Sequence, residues 1–169
     1  MTAITEGNLR ISVPSDVTAR KFDIGDTHGL THCMKAVDLI LEFKDHFLFI
    51  EIKDPEHPQA NAMDRDTFIK KFQTGKIDED LKYKYRDSFL YEWACGKIEK
   101  PIYYYVLIAI DGLTEADLQA KADDLKRKVP QCGPSSGIWK HWIVEDVMVF
   151  NLSTWNKHLK DFPIRRSIP

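Results

Sequence analysis

Asp38, Glu51 and Lys53 are of the residue types from which a hydrolytic site can be built. Two carboxylates and an ammonium gathered on one sheet face are costly unless they bind something. Oxygen-only ligation by two carboxylates suits a hard divalent cation. Mg²⁺ fits best, because it keeps several waters and accepts phosphate oxygens, and Mn²⁺ is its natural substitute. A lysine beside such a metal can orient and help deprotonate the attacking water, or offset charge developing on the phosphate. The set describes metal-assisted phosphodiester hydrolysis, provided the three side chains meet. The plain alternative is an amphipathic hairpin with a surface ion pair.

Their meeting depends on the strands that carry them. Residues 37–43 and 47–53 are runs of branched and aromatic side chains separated by Lys44, Asp45 and His46, which reads as a hairpin. Pro55 and Pro58 end the second strand. A turn centred on Asp45 and His46 pairs Phe43 with Leu48, Leu41 with Ile50, Leu39 with Ile52 and Asp38 with Lys53. One face is then apolar, with Val37, Leu39, Leu41, Phe43, Leu48, Ile50 and Ile52. The other carries Asp38, Ile40, Glu42, Phe49, Glu51 and Lys53. A one-residue slip would drive charge among the apolar side chains, so burial selects this pairing of faces.

Further elements follow from spacing and punctuation. Ser15 is expected to cap a short helix over residues 15–22. Helices are predicted over 64–73, stopped by Gly75, and over 78–95, stopped by Gly96. On the second, Leu81, Tyr85, Ser88, Phe89 and Trp93 share a face. The apolar run 101–110 reads as a central strand, in which outward tyrosines among Tyr103, Tyr104 and Tyr105 cover helices. Thr114, with Asp117 as capping-box partner, opens a helix that Pro130 stops. A strand near 143–152 and a short helix capped by Ser153 complete the chain. The fold class is α/β or α+β, a mixed sheet flanked by helices.

Asp38, twelve intervening residues and then Glu51-Ile52-Lys53 in a hairpin resemble the PD-(D/E)xK nuclease superfamily. That superfamily includes restriction endonucleases, Holliday-junction resolvases and repair and anti-phage nucleases. The resemblance covers roughly residues 15–120 and implies a restriction-endonuclease-like core. It assigns Asp38, Glu51 and the Ile52 carbonyl to a metal, normally Mg²⁺, and Lys53 to the nucleophilic water. It also implies a nucleic-acid substrate, with DNA expected on family grounds. Val37 stands where many members have proline, and Glu6, Asp16 and Asp23 are candidates for an extra acid. Lys82, Lys84 and Arg86, on the helix after the motif, are candidates for contact with the phosphate. A member of the fold without turnover, acting as a binding or scaffold module, is the alternative.

Composition sets the outer bounds. The 169 residues are 43% hydrophobic and 30% charged, as for a single folded domain, expected over 1–169. The net charge of −2 excludes a bulk polybasic nucleic-acid binder but not a site with a local basic patch. Three cysteines without a Cys-x-x-Cys pair, no long apolar span and no leader-like start lead us to expect a cytoplasmic chain with no membrane partner. With no separate recognition domain expected, a homodimer or a larger complex would be the means of gripping two strands. His28, His32 and Cys33, with Cys132 and His141 more distant, form a weak zinc candidate. His46, His57, the Trp139/Trp142 pair and Arg165-Arg166 are read as solvated, loop, core-edge and weakly basic features respectively.

Overall fold

The computed structural model describes residues 1–25, 29–135, 137 and 139–167. It has two sheets and four helices among those residues. In order they are β1 (Thr2–Glu6), β2 (Leu9–Val13), β3 (Thr18–Lys21), β4 (Leu39–Glu42), β5 (Phe47–Lys53), α1 (Ala62–Gln73), α2 (Lys76–Ala94), β6 (Ile102–Ile108), α3 (Glu115–Lys128), β7 (Asp146–Phe150), α4 (Leu152–His158) and β8 (Ile164–Arg166). The larger sheet runs β3-β4-β5-β6-β7. Its first three strands are antiparallel, and β5, β6 and β7 are parallel. The mixed sheet is as expected. β1, β2 and β8 form a second, three-stranded antiparallel sheet that the sequence reading did not anticipate.

Strand alternation divides the core. Leu39, Leu41, Leu48 and Ile50 point to one side, where they meet Leu9, Ile11 and Val13 of the small sheet and Trp155 of α4. Ile40, Phe49, Tyr104 and Val106 point to the other, where α1, α2 and α3 cover them. Each fully buried aliphatic side chain contributes ~1.5–3 kcal/mol, so both faces resist a register change. Tyr104 is buried under α2 and its hydroxyl donates to the Leu81 carbonyl, while Tyr103 and Tyr105 pack on the opposite face. The alternation expected for the three tyrosines is present.

The hairpin register corrects the expected one by two residues. Leu39 pairs with Ile50 and Glu42 with Phe47, so the turn is centred on Lys44 and Asp45. The Phe43 N–H donates to the His46 carbonyl, and the two rings stack at 4.3 Å. That closing pair makes a two-residue loop the tighter solution. A shift of two preserves the strand faces but sets Asp38 opposite Glu51, not Lys53. Val37 is a second correction. Its N–H donates to Ser88 Oγ and its side chain packs on the α2 side of the core.

Residues 18–21 are a strand and not part of a helix. The Val17 N–H donates to the Pro14 carbonyl, so Ser15 lies in a turn, and Thr18 to Lys21 then pair with β4. Gly75 at φ 73° and Gly96 at φ 68° take the left-handed conformation that ends α1 and follows α2, as the glycine signals imply. The Thr114–Asp117 capping box is present. Asn151 and not Ser153 caps α4, because its side chain reaches the Thr154 N–H. Trp93, expected on the buried stripe of α2, is 62% exposed, and Glu92 takes its place by pairing with Arg20. Trp142 is 56% exposed and Trp139 is also exposed, so neither is core edge.

Candidate active site

β4, β5 and α2 supply the site. Extending the ladder beyond Leu39 makes Asp38 and Glu51 a non-hydrogen-bonded pair, the kind in which facing side chains stand closest. Next along, Ile52 and Val37 would exchange backbone hydrogen bonds. Instead the Ile52 N–H donates to Asp38 Oδ2 at 2.6 Å, and the Val37 N–H turns to Ser88. The strand therefore frays at Asp38, and the Ile52 carbonyl loses the donor that a continued ladder would give it. Asp38, Glu51 and the Ile52 backbone share one end of the sheet.

Glu51 is wholly buried and neither of its carboxylate oxygens has a directed hydrogen bond. What it has is charge: Lys53 Nζ stands 2.8 Å from Oε1, and Lys84 Nζ stands 3.5 Å from the same atom. Lys84 Nζ also lies 4.0 Å from Asp38 Oδ1 and donates a 2.8 Å hydrogen bond to Asp23 Oδ2. Lys53 continues to Asp80 Oδ2 at 3.2 Å, and Asp80 is itself bound by Lys35. Acids and lysines thus alternate around the two carboxylates.

Burial pushes the Asp38 carboxyl up to about 6, against the Ile52 hydrogen bond and the Lys84 and Lys53 charges. Burial, reinforced by the Asp38 charge, pushes Glu51 up to about 7 despite both lysines. For Lys53, burial favours the neutral amine, but Glu51 and Asp80 outweigh it and hold the ammonium above the usual lysine range. Lys84 is raised in the same way, with Glu51, Asp23 and Asp38 outweighing burial. Both lysines are ammonium groups across the physiological range.

The donor set fits a hard divalent cation. Glu51 offers two buried oxygens without hydrogen-bond partners, Asp38 offers Oδ1, and Lys84 already places a positive charge between them. Among the described residues no group of three or more histidine, cysteine or acidic side chains could hold a metal. Mg²⁺ does not need one, since one or two carboxylates with waters and phosphate oxygens complete its shell.

The other candidates are distributed as follows. Of the three basic residues on α2, only Lys84 reaches the site. Lys82 pairs with Glu79 and lies over the Tyr83 ring, and Arg86 is exposed. Asp23 joins through Lys84. Glu6 lies near enough for its charge to add to the rise at Asp38 and pairs with Lys21, while Asp16 is exposed. Arg166 is committed to Asp54 by two hydrogen bonds of 2.8 Å, which anchors β8 beside Lys53. His28 lies outside the described residues, and His32 and Cys33 are exposed. A cavity of about 890 Å³, lined by Phe89, Trp93, Pro101 and Trp142, opens at the opposite end of β6 from Lys53. Asp38, Glu51, Lys53 and Lys84 do not line it; His141, the distant zinc candidate, does.

Asp80 and Asp87 are the residues that sequence reasoning missed. Asp80, Lys84 and Asp87 recur at i, i+4 and i+7, one step around α2 from the apolar stripe, and Asp87 accepts from the Lys35 N–H at 2.9 Å. That periodicity was available as a signal. Comparison with known protein families, curated proteins and solved structures finds no match to this chain.

Proposed function

We propose that this protein is a Mg²⁺-dependent nuclease with a restriction-endonuclease-like core, hydrolysing nucleic-acid phosphodiesters, DNA before RNA. The observation that carries the reading is the facing of Asp38 and Glu51 around one shared cation position, with Lys53 beside it. The antiparallel hairpin followed by a helix and a parallel strand is the order that the resemblance implies. Bound there, Mg²⁺ would supply a place for water and a phosphate oxygen and would lower the pKa of the water.

The protein's own groups would do the rest. Asp38, Glu51 and the Ile52 carbonyl hold the cation. Lys53, held by Glu51 and Asp80, orients the attacking water and offsets charge developing on the phosphate. Asp80 fixes where the Lys53 ammonium stands. A homodimer is the expected means of engaging both strands, and a mass measurement in solution checks it.

A binding module without turnover is favoured by one feature: Lys53 and Lys84 already compensate a sealed Glu51. Incubating plasmid, duplex and single-stranded DNA, and RNA with the protein separates the readings. Cleavage by wild type with Mg²⁺ or Mn²⁺, lost with chelator and in Glu51→Gln, supports a nuclease. Metal-independent binding without any cleavage above Glu51→Gln overturns it in favour of the module.

A further inference from the structure

Among the described residues, Lys84 alone forms ion pairs with both Asp38 and Glu51. At 4.0 and 3.5 Å its ammonium balances them by charge, and neither Glu51 oxygen receives a directed hydrogen bond. The directed bond goes to Asp23, at 2.8 Å. Asp23 is fixed in place by its neighbour, because the Phe22 N–H donates to the Asp38 carbonyl at 2.8 Å. One flexible side chain is thus shared between a buried carboxylate pair and a half-exposed acid. An ammonium and a divalent cation cannot share the place between Asp38 and Glu51: at ~4 Å like charges repel by several RT even in a partly solvated site.

We propose, resting on the reading that Asp38 and Glu51 hold the metal, that Lys84 is the resident counter-ion of that site. It balances the carboxylate pair in the metal-free protein and withdraws onto Asp23 when a divalent cation binds. Asp23 then acts on metal affinity through Lys84 and not as a ligand. The arrangement lets a buried, doubly acidic site fold without metal, at the cost of weaker metal binding. Lys53 has a different task, because Asp80 and Glu51 hold it from two sides.

The test is calorimetric titration of the full chain with Mn²⁺ alone, without nucleic acid. Lys84→Met keeps the aliphatic stem and removes the charge, and it should bind Mn²⁺ about tenfold more tightly than wild type. Asp23→Asn should weaken binding several-fold in wild type and leave it unchanged in the Lys84→Met background, which is the non-additivity expected of residues acting through one another. Lys82→Met, which removes a charge from the same helix outside the site, should behave as wild type. Lys84→Gln serves if Lys84→Met does not fold, and a variant that folds only when Mn²⁺ is added also supports the proposal. Unchanged or weaker binding in folded Lys84 variants, with wild type binding and Glu51→Gln not, overturns this proposal and leaves the metal reading standing. A loss in Asp23→Asn that persists in the Lys84→Met background makes Asp23 a ligand and overturns it too. So does failure of Lys84→Gln to fold even with Mn²⁺, which marks a purely structural lysine. No binding by any variant, wild type included, overturns both readings.

Discussion

Asp38 Oδ2 accepts a 2.6 Å hydrogen bond from the backbone N–H of Ile52, the residue between Glu51 and Lys53. A side chain thus stands in for the ladder bond that the fraying of β4 removes. Asp38 is thereby tied to the strand that carries the other two candidate groups, with its second oxygen facing Lys84. Asp38→Asn retains an acceptor for Ile52 and loses only the charge, so the metal-free variant should be as stable as wild type or slightly more so. Asp38→Ala leaves the Ile52 N–H without its acceptor and should lose ~1–3 kcal/mol. Denaturant melts of the two variants make the comparison, with cleavage expected to vanish in both.

Lys53→Met should reduce cleavage by roughly 10²-fold or more while Mn²⁺ binding is kept or tightened, since the ammonium acts on water and phosphate and is no ligand of the metal. Activity assays and Mn²⁺ titration of the same preparation check this. Turnover at the wild-type rate would remove Lys53 from the site chemistry.

Stability should carry a pH signature from the buried acids. In the unfolded chain Asp38 and Glu51 ionise in the ordinary carboxylate range, whereas in the fold they keep their protons to about 6 and about 7. Between those limits the folded state binds more protons. The pair's contribution is therefore fully present below the ordinary range and is lost as pH rises to about 7. Of the groups facing it, Lys53 and Lys84 keep their charges throughout that window. Metal-free wild type should lose about 3 kcal/mol relative to Glu51→Gln between pH 4 and pH 8, the linkage value of the Glu51 shift. Equal pH profiles for the two proteins would contradict the burial of a protonated Glu51. Metal binding must expel the same protons, so Mn²⁺ affinity should rise across this interval.

A second buried ion pair lies away from the site and tests stability alone. Lys121 Nζ of α3 bonds Asp78 at 2.7 Å and the Phe72 carbonyl at 2.9 Å, joining three helices with both charges almost wholly buried. Lys121→Ala leaves buried Asp78 with only the Lys128 ammonium, 3.8 Å from its other oxygen, and should cost up to ~3–5 kcal/mol. Replacing both residues by apolar ones of similar volume should cost much less, and urea melts of the single and double variants measure the difference.

The hairpin, α1, α2, β6 and α3 were legible because burial repeats at periods of two or 3.6 and glycine, proline and caps mark their ends. The faces of the hairpin were legible for the same reason, since parity alone decides which residues share a side. Its register was not: shifts of two residues keep parity, and only the Phe43–His46 closure distinguishes them. The small sheet escaped notice because β1 and β8 are short, partly exposed strands whose pairing with β2 joins the two ends of the chain. At the site, Asp38, Glu51 and Lys53 were readable from spacing, whereas Asp80 and Asp23 gain their meaning from the approach of α2 and of the segment after β3.

Diffraction from crystals soaked in Mn²⁺, with data collected for the manganese anomalous signal, tests the central claim most directly. The account predicts one strong anomalous peak between Asp38 and Glu51, within coordination distance of the Ile52 carbonyl, with Lys53 beside it and not displaced. Ordered Asp38 and Glu51 side chains with no peak between them, at Mn²⁺ concentrations that support cleavage, would contradict it.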